Sequence, residues 1–177
     1  MQCFAARTAN EQLLTHHTSR MPIDHISDTA RWVAVYRAME TARPDAIFRD
    51  PWAATLAGEK GTAITDSMKR GRQMAWAMIV RTAVFDEIIM ARVHAGADLV
   101  VNLAAGLDAR PWRLPLPASL RWVDVDLPDI LRYKTETIGG APPACHYEAM
   151  SADLTDATAR RAQIGRASCR DRVSPRV

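Results

Sequence analysis

The stretch LVVNLAAGLDARPWRLPLPASLRWVDVD, residues 99–126, decides the fold. It opens with a short apolar run over residues 99–103 and continues into a turn of small residues at 104–106. A second apolar run over residues 120–126 ends in acidic residues. Short apolar runs bounded by turn residues are typical of the buried strands of a parallel sheet. We therefore predict two such strands here.

The residues that follow continue the same alternation. Residues 128–138 predict a helix, with Pro128 near its first position and Gly139 as its cap. Residues 145–150 predict a third strand, after which Asp156 can cap another helix. Strands that alternate with helices are typical of doubly wound α/β domains. Residues 97–162 therefore predict the first half of a doubly wound, Rossmann-like sheet.

The preceding residues, 23–96, predict an N-terminal helical cap. Ser27 and Asp28 are suitable N-cap residues. The first predicted helix covers residues 29–41. A second, short helix begins at Asp50–Pro51 and ends at Gly58, and residues 61–71 form a loop or a short helix. A long helix covers residues 72–94 and stops at Gly96.

Composition narrows the class of protein. The net charge is +3, and 48% hydrophobic with 24% charged residues is ordinary for a globular domain. The most apolar stretch, residues 74–95, carries charges that disfavour a membrane span. The three cysteines show no disulfide or metal spacing, and the histidines show no ligand spacing. We expect a cytoplasmic protein with no metal and with neither nucleic acid nor membrane as partner.

The ends of the first two strands predict a nucleoside site. Ligands of doubly wound sheets bind beyond the carboxyl ends of the strands. At Gly106 the missing side chain lets a ligand approach the backbone. About twenty residues later, Asp126 can accept hydrogen bonds from both ribose hydroxyls. Alternatively, Gly106 and Asp108 form a simple turn, and Asp126 is an exposed acid at a strand end.

The turn also discriminates between nucleosides. A dinucleotide carries a pyrophosphate, which favours three glycines at a helix N-terminus. This turn has one glycine, and Asp108 would repel a phosphate. S-adenosyl-L-methionine, with adenosine, a sulfonium and an amino-acid end, fits better. An NAD-type dehydrogenase is the weaker alternative, and a non-catalytic nucleoside-binding or interaction module is another.

Four segments resemble one family. VVNLAAGLDARPWRL, residues 100–114, is similar to the first motif of the leucine carboxyl methyltransferase-like family, which includes bacterial O-methyltransferases of polyketide and other secondary metabolism. WVDVDLPDILRYK, residues 122–134, and ADLTD, residues 152–156, resemble its second and third motifs. Residues 28–58 resemble its N-terminal helical cap. The resemblance covers residues 23–162.

This resemblance implies a class I methyltransferase fold and S-adenosyl-L-methionine as cofactor. In the family, the arginine that matches Arg81 holds the methionine carboxylate, and the aspartate of the third motif faces the adenine amino group. Asn102 stands where many methyltransferases carry an acid, and Ala104 where the family often has glycine. The predicted cofactor-binding residues are Arg81, Asn102, Ala104, Gly106, Asp108, Asp126, Asp153 and Leu154.

The implied reaction transfers a methyl group in line from the sulfonium to an acceptor oxygen of a small molecule. The protein mainly supplies alignment, and a hydroxyl acceptor also needs a general base whereas a carboxylate does not. No catalytic residue is identified, because acceptor groups in this fold lie mostly on later strands. We expect Asp124 to help solvate the end of the second strand.

The two ends of the chain do not fit the family pattern. Residues 1–22 predict a flexible leader. Residues 163–177 are arginine-rich, and residues 163–173 closely resemble the translation of a common sequencing adapter. We therefore expect a non-native tail that carries no information about nucleic acid. We also expect the chain to stop before the substrate site is complete, and to be an inactive fragment by itself.

Overall fold

The computed structural model describes residues 28–68, 73, 75–158 and 161. The predicted leader, residues 1–22, and the predicted tail, residues 163–177, lie outside the described residues. The division into a helical cap over 23–96 and a Rossmann-like half over 97–162 stays a prediction.

Three parallel strands form the sheet. They are β1 (Leu99–Leu103), β2 (Arg121–Asp126) and β3 (His146–Ser151), in the spatial order β1-β2-β3. Leu99 lies opposite Arg121, which in turn lies opposite His146. Because the strands are parallel, their carboxyl ends meet at one edge of the sheet. The predicted α/β class and the first half of a Rossmann-like sheet are confirmed.

Five helices accompany the sheet in the described part of the chain: α1 (Asp28–Thr41), α2 (Ala53–Ser67), α3 (Ala75–His94), the single turn α4 (Arg110–Arg113) and α5 (Pro128–Ile138). Helix α5 ends as predicted, because Gly139 adopts the left-handed conformation with φ 68° and donates its N–H to the carbonyl of Thr135. No helix among the described residues is long and apolar enough to cross a membrane.

The prediction that the second helix stops at Gly58 is wrong. Gly58 is non-helical, with φ 59° and ψ −175°, but the chain kinks there and resumes a helix that reaches Ser67. The continuation packs on α1: a Cβ placed on Gly61 would lie 3.0 Å from the carbonyl oxygen of Arg31. Ile64 is fully buried. Tertiary packing therefore overrides the local stop signal.

The core lies on both faces of the sheet and beneath the cap. On one face Trp122 packs with Leu120, Cys145 and Val93 of α3. On the other face Val123 and Val125 pack together with Ala152. A third cluster joins the cap to the carboxyl edge of the sheet and contains Ala34, Leu56, Ala57, Leu107, Ala109, Ile130 and Ile138.

Strand β1 is less buried than predicted. None of its residues is fully buried, and Leu103 is 44% exposed, whereas four of the six residues of β2 are buried. Within the described ranges β1 pairs with β2 alone, so its other edge has no neighbouring strand. An apolar run predicts a strand, but its burial depends on which neighbours the sheet supplies.

Candidate functional site

A cavity of about 830 Å³ lies at the carboxyl ends of the strands. Its walls come from the residues that follow β1, β2 and β3 and from helices α1 and α3. Pockets for cofactor-sized ligands typically measure roughly 300–1,000 Å³. All eight predicted cofactor-binding residues line it: Arg81, Asn102, Ala104, Gly106, Asp108, Asp126, Asp153 and Leu154. The structure therefore brings them together, and their contact with a cofactor stays a prediction.

The turn after β1 uses the left-handed conformation twice. Ala104 and Gly106 both have φ 52°. Glycine adopts this conformation without steric strain, whereas an L-residue with a Cβ is strained there. The preference for glycine at the position of Ala104 thus has a backbone cause. At Gly106 space is also limited, because a Cβ would lie 3.2 Å from that of Ala30.

Asp126 is oriented by the backbone. Its Oδ2 accepts the N–H of Gly106 at 2.6 Å, and its Oδ1 accepts the N–H of Leu127 at 2.7 Å. Each carboxylate oxygen can accept two hydrogen bonds, so one acceptor position remains on each. A part-exposed carboxylate held in this way can accept hydrogen bonds from two neighbouring hydroxyl groups of a ligand.

The negative charge of Asp108, predicted to repel a phosphate, is compensated by an arginine. Its Oδ2 lies 2.5 Å from Nη1 of Arg110, and its Oδ1 accepts the N–H of Arg110 at 2.9 Å. Burial alone would raise the pKa of Asp108, but the charges of Arg110, Arg37 and Lys134, together with the N–H bond from Arg110, outweigh burial and hold the pKa below its ordinary value. Asp108 is thus ionised and paired, so repulsion of phosphate cannot rest on it alone.

Asn102 connects two carboxylates. Its Nδ2 donates to Oδ2 of Asp108 at 3.2 Å and to Oδ1 of Asp124 at 3.0 Å. An acid at position 102 would place a third negative charge within hydrogen-bond distance of both. The departure from the usual acid therefore has an electrostatic reason. With the amide nitrogen directed at the carboxylates, the amide Oδ1 is left as an acceptor.

The expectation that Asp124 solvates the end of β2 is wrong. Asp124 and Lys134 have fully buried side chains, and Oδ2 of Asp124 lies 2.5 Å from Nζ of Lys134. The indole N–H of Trp122 donates to Oδ1 at 2.8 Å. Burial, and next the charge of Asp124, raise the pKa of Cys145 to about 11 and raise that of Tyr147 as well. Asp124 is a structural anion beneath the site.

Arg81 differs from the other arginines of the cavity. Arg37 pairs with Asp50 at 2.8 Å, and Arg110 pairs with Asp86 and Asp108. Arg81 contacts Sδ of Met78 at 3.8 Å, and its Cζ lies 6.0 Å from the ring centroid of Phe85. It has no carboxylate partner among the described residues. It is an exposed cation at the cavity wall. Such a guanidinium suits a ligand carboxylate.

The residues after β3 complete the cavity. Oδ1 of Asp153 accepts the N–H of Thr155 at 2.9 Å and its hydroxyl at 2.6 Å. These bonds fix the turn and lower the pKa of Asp153. Oδ2 has no protein partner in the described part of the chain, and Leu154 beside it supplies apolar surface to the same cavity.

The acid that holds α3 to the turn is not among the predicted site residues. Asp86 lies in α3 and bridges Arg110 and Arg113: Nε of Arg110 lies 2.6 Å from its Oδ1, and Arg113 donates to both of its oxygens at 2.7 Å. An acid inside a helix that is mostly apolar was the available signal, because a buried acid requires a partner. The sequence alone could not show that this partner was an arginine pair 24 and 27 residues away.

A parallel sheet of order β1-β2-β3, with a glycine turn after β1 and an acid ending β2, defines the class as a Rossmann-like α/β fold. The family model described as leucine carboxyl methyltransferase matches residues 30–167, and the chain belongs to that family. The match extends into residues 163–167, which belong to the predicted non-native tail.

Curated relatives agree with this assignment. A protein of Parafrankia sp. (strain EAN1pec) is 40% identical over 141 residues, which cover 74% of this chain and 46% of the relative. A Mycolicibacterium gilvum protein is 36% identical over 148 residues (74% and 48%), and a Mycobacterium tuberculosis protein is 37% identical over 149 residues (75% and 48%). Each bears the name "Putative S-adenosyl-L-methionine-dependent methyltransferase". The chain spans about half the length of these relatives.

Proposed function

We propose that this chain supplies the S-adenosyl-L-methionine site of an O-methyltransferase that acts on a small-molecule acceptor. The observation that carries the proposal is that one cavity contains a backbone-oriented acid, Asp126, and an arginine without an acidic partner among the described residues, Arg81. These two groups match the ribose hydroxyls and the methionine carboxylate of the cofactor. The names of the relatives support the same cofactor.

The other residues fit the remaining parts of the cofactor. Asp153 and Leu154 would hold the adenine, through an acceptor for its amino group and an apolar contact. The free Oδ1 of Asn102 would accept from the ammonium group. The Asp108–Arg110 pair adds little net charge to the cavity, and such surroundings suit a ligand that carries a sulfonium, an ammonium and a carboxylate but no phosphate.

The bound cofactor supplies an activated methyl group on a positively charged sulfur. The residues described here bind and orient, and alignment of reacting groups can account for about 7–11 kcal/mol of barrier lowering. A carboxylate acceptor needs no general base, whereas a hydroxyl acceptor does. No described residue is assigned that role.

We also propose that the 177-residue chain alone does not catalyse transfer. Leu103, Phe85 and Ile88 line the cavity, yet they are 44%, 48% and 49% exposed. The described residues thus leave a partly open wall beside β1, where an acceptor would have to be held. Exclusion of water and fixed placement of the acceptor both require that wall.

Two measurements test the proposal. Calorimetry should show binding of S-adenosyl-L-methionine and S-adenosylhomocysteine but not of NAD; tight NAD binding without a response to the other two would contradict it. Radiolabelled methyl transfer should then be assayed on hydroxyl and carboxyl acceptors, with the 177-residue chain and with the complete product of its gene. Binding without transfer by the complete product would favour a non-catalytic module. Turnover by the 177 residues would refute the proposed inactivity.

A further inference from the structure

Six alternating charges link the helical cap to the turn after β1. We call this set the charge ladder; in order it contains Asp108, Arg110, Asp86, Arg113, Asp50 and Arg37. Its ion-pair distances run from 2.5 to 3.8 Å, and Arg37 ends it by donating to the carbonyl of Leu107 at 2.6 Å. Acids and arginines are equal in number, so the ladder has no net charge.

Arg110 holds α3 at two points. Its Nη1 holds Asp108 of the turn, and its Nε holds Asp86 of α3 at 2.6 Å. Its Nη2 also donates to the carbonyl of Thr82 at 3.3 Å. One guanidinium therefore fixes α3 both at Asp86 and one helical turn earlier.

That second contact is adjacent to Arg81. Thr82 is buried, whereas Arg81 beside it is exposed at the cavity. The depth of α3 against the turn therefore sets where the guanidinium of Arg81 stands relative to Asp126, which the turn also orients. A cofactor of fixed length needs these two groups at a fixed separation.

We propose that Asp86 is a positioning residue for cofactor binding: clasped by Arg110 and Arg113, it holds Arg81 where it meets the methionine carboxylate. This inference rests on the proposed function. Asp86 itself does not line the cavity, so it acts through Arg81. This proposal predicts that a substitution of Asp86 weakens the binding of ligands that carry the carboxylate and leaves the binding of ligands without it unchanged.

The test measures dissociation constants of S-adenosylhomocysteine and adenosine for the full chain and for Asp86→Asn. We expect about a tenfold weaker affinity for S-adenosylhomocysteine and less than about a twofold change for adenosine, since contact couplings are of this size. Asp129→Asn is the matched control, because its pair with Arg132 is exposed on α5; it should change neither constant. Equal losses for both ligands would show that Asp86 only supports the fold.

A double-mutant cycle distinguishes a positioning role of Asp86 from a purely structural one. If Asp86 acts through Arg81, Asp86→Asn should add less than about a twofold loss once Arg81→Lys is present. Additive losses would overturn the proposal. If Asp86→Asn does not fold, Asp86→Glu keeps the charge and shifts the clasp, and its loss should again be confined to S-adenosylhomocysteine; a loss shared with adenosine would overturn the proposal. Wild-type chain that binds neither ligand would overturn the proposed function itself.

Discussion

Oδ2 of Asp126 lies 2.6 Å from the backbone nitrogen of Gly106. Asp126 is the last residue of β2 and Gly106 lies in the turn after the neighbouring strand β1, so this bond ties the glycine turn to the end of β2. The second oxygen of Asp126 accepts the N–H of Leu127, at the residue before α5. The carboxylate is therefore held in place by two backbone groups before any ligand arrives.

Replacing Asp126 by alanine should weaken cofactor binding by roughly ten- to a hundredfold, because loss of a buried hydrogen-bond partner costs about 1–3 kcal/mol. Part of the loss comes from the N–H of Gly106, which then has no acceptor. Titration calorimetry with S-adenosylhomocysteine measures it, with Asp129→Ala as the exposed control on α5. An unchanged dissociation constant would place the ribose acid elsewhere.

Arg81→Lys should lower the affinity for S-adenosylhomocysteine by about tenfold, because lysine cannot reproduce two parallel hydrogen bonds to a carboxylate. Adenosine has no carboxylate, so its affinity should not change. Arg92→Lys, in the exposed last turn of the same helix, is the matched control. Competition binding with both ligands is the measurement, and parallel losses would argue against a carboxylate contact.

Ala104→Gly should raise the free energy of unfolding. At φ 52° alanine is strained by about 1–2 kcal/mol, whereas glycine pays only its larger conformational entropy, about 0.5–1 kcal/mol. The expected net gain is about 0.5–1 kcal/mol by urea unfolding. Ala91→Gly, exposed in α3, should have the opposite sign because its backbone is helical. A loss at both positions would show that Ala104 is not strained.

Asp108 should make stability depend on pH in acid. Its pKa is lowered in the folded state from a value near 3.8, so its stabilising contribution is complete above that value and is lost as pH falls through the folded pKa. Asp108→Asn removes this contribution. The difference in unfolding free energy between wild type and variant should therefore be constant near neutral pH and shrink below about pH 4. Urea unfolding at several pH values checks it; a difference independent of pH would contradict the pairing with Arg110.

The elements of the fold were largely readable from the sequence because their signals are local. The apolar runs fixed β1 and β2, and Gly139 ended α5 where predicted. The predictions that were wrong depend on tertiary contacts. Helix α2 continues past Gly58 because its second half packs on α1, and β1 is only half-buried because the described residues supply it a single neighbouring strand.

The sequence predicts which residues line the cavity, but not which of their side chains form ion pairs. The eight predicted residues do line one cavity. However, the sequence could not show that Asp108 is neutralised by Arg110, or that Asp124 is buried against Lys134. Charge compensation depends on side chains brought together by folding, and the partner of Asp124 lies ten residues further along the chain on a different element.

The order of the strands in the sheet has a consequence for synthesis. Spatial order and chain order coincide, and paired residues lie 22 apart along the chain between β1 and β2 and 25 apart between β2 and β3. Contacts between close segments form quickly, and chains emerge from the ribosome N-terminus first. Among the described residues, those that line the cavity all lie within the range from Thr29 to Thr155. We therefore expect the cavity to assemble on the nascent chain as soon as those residues have emerged.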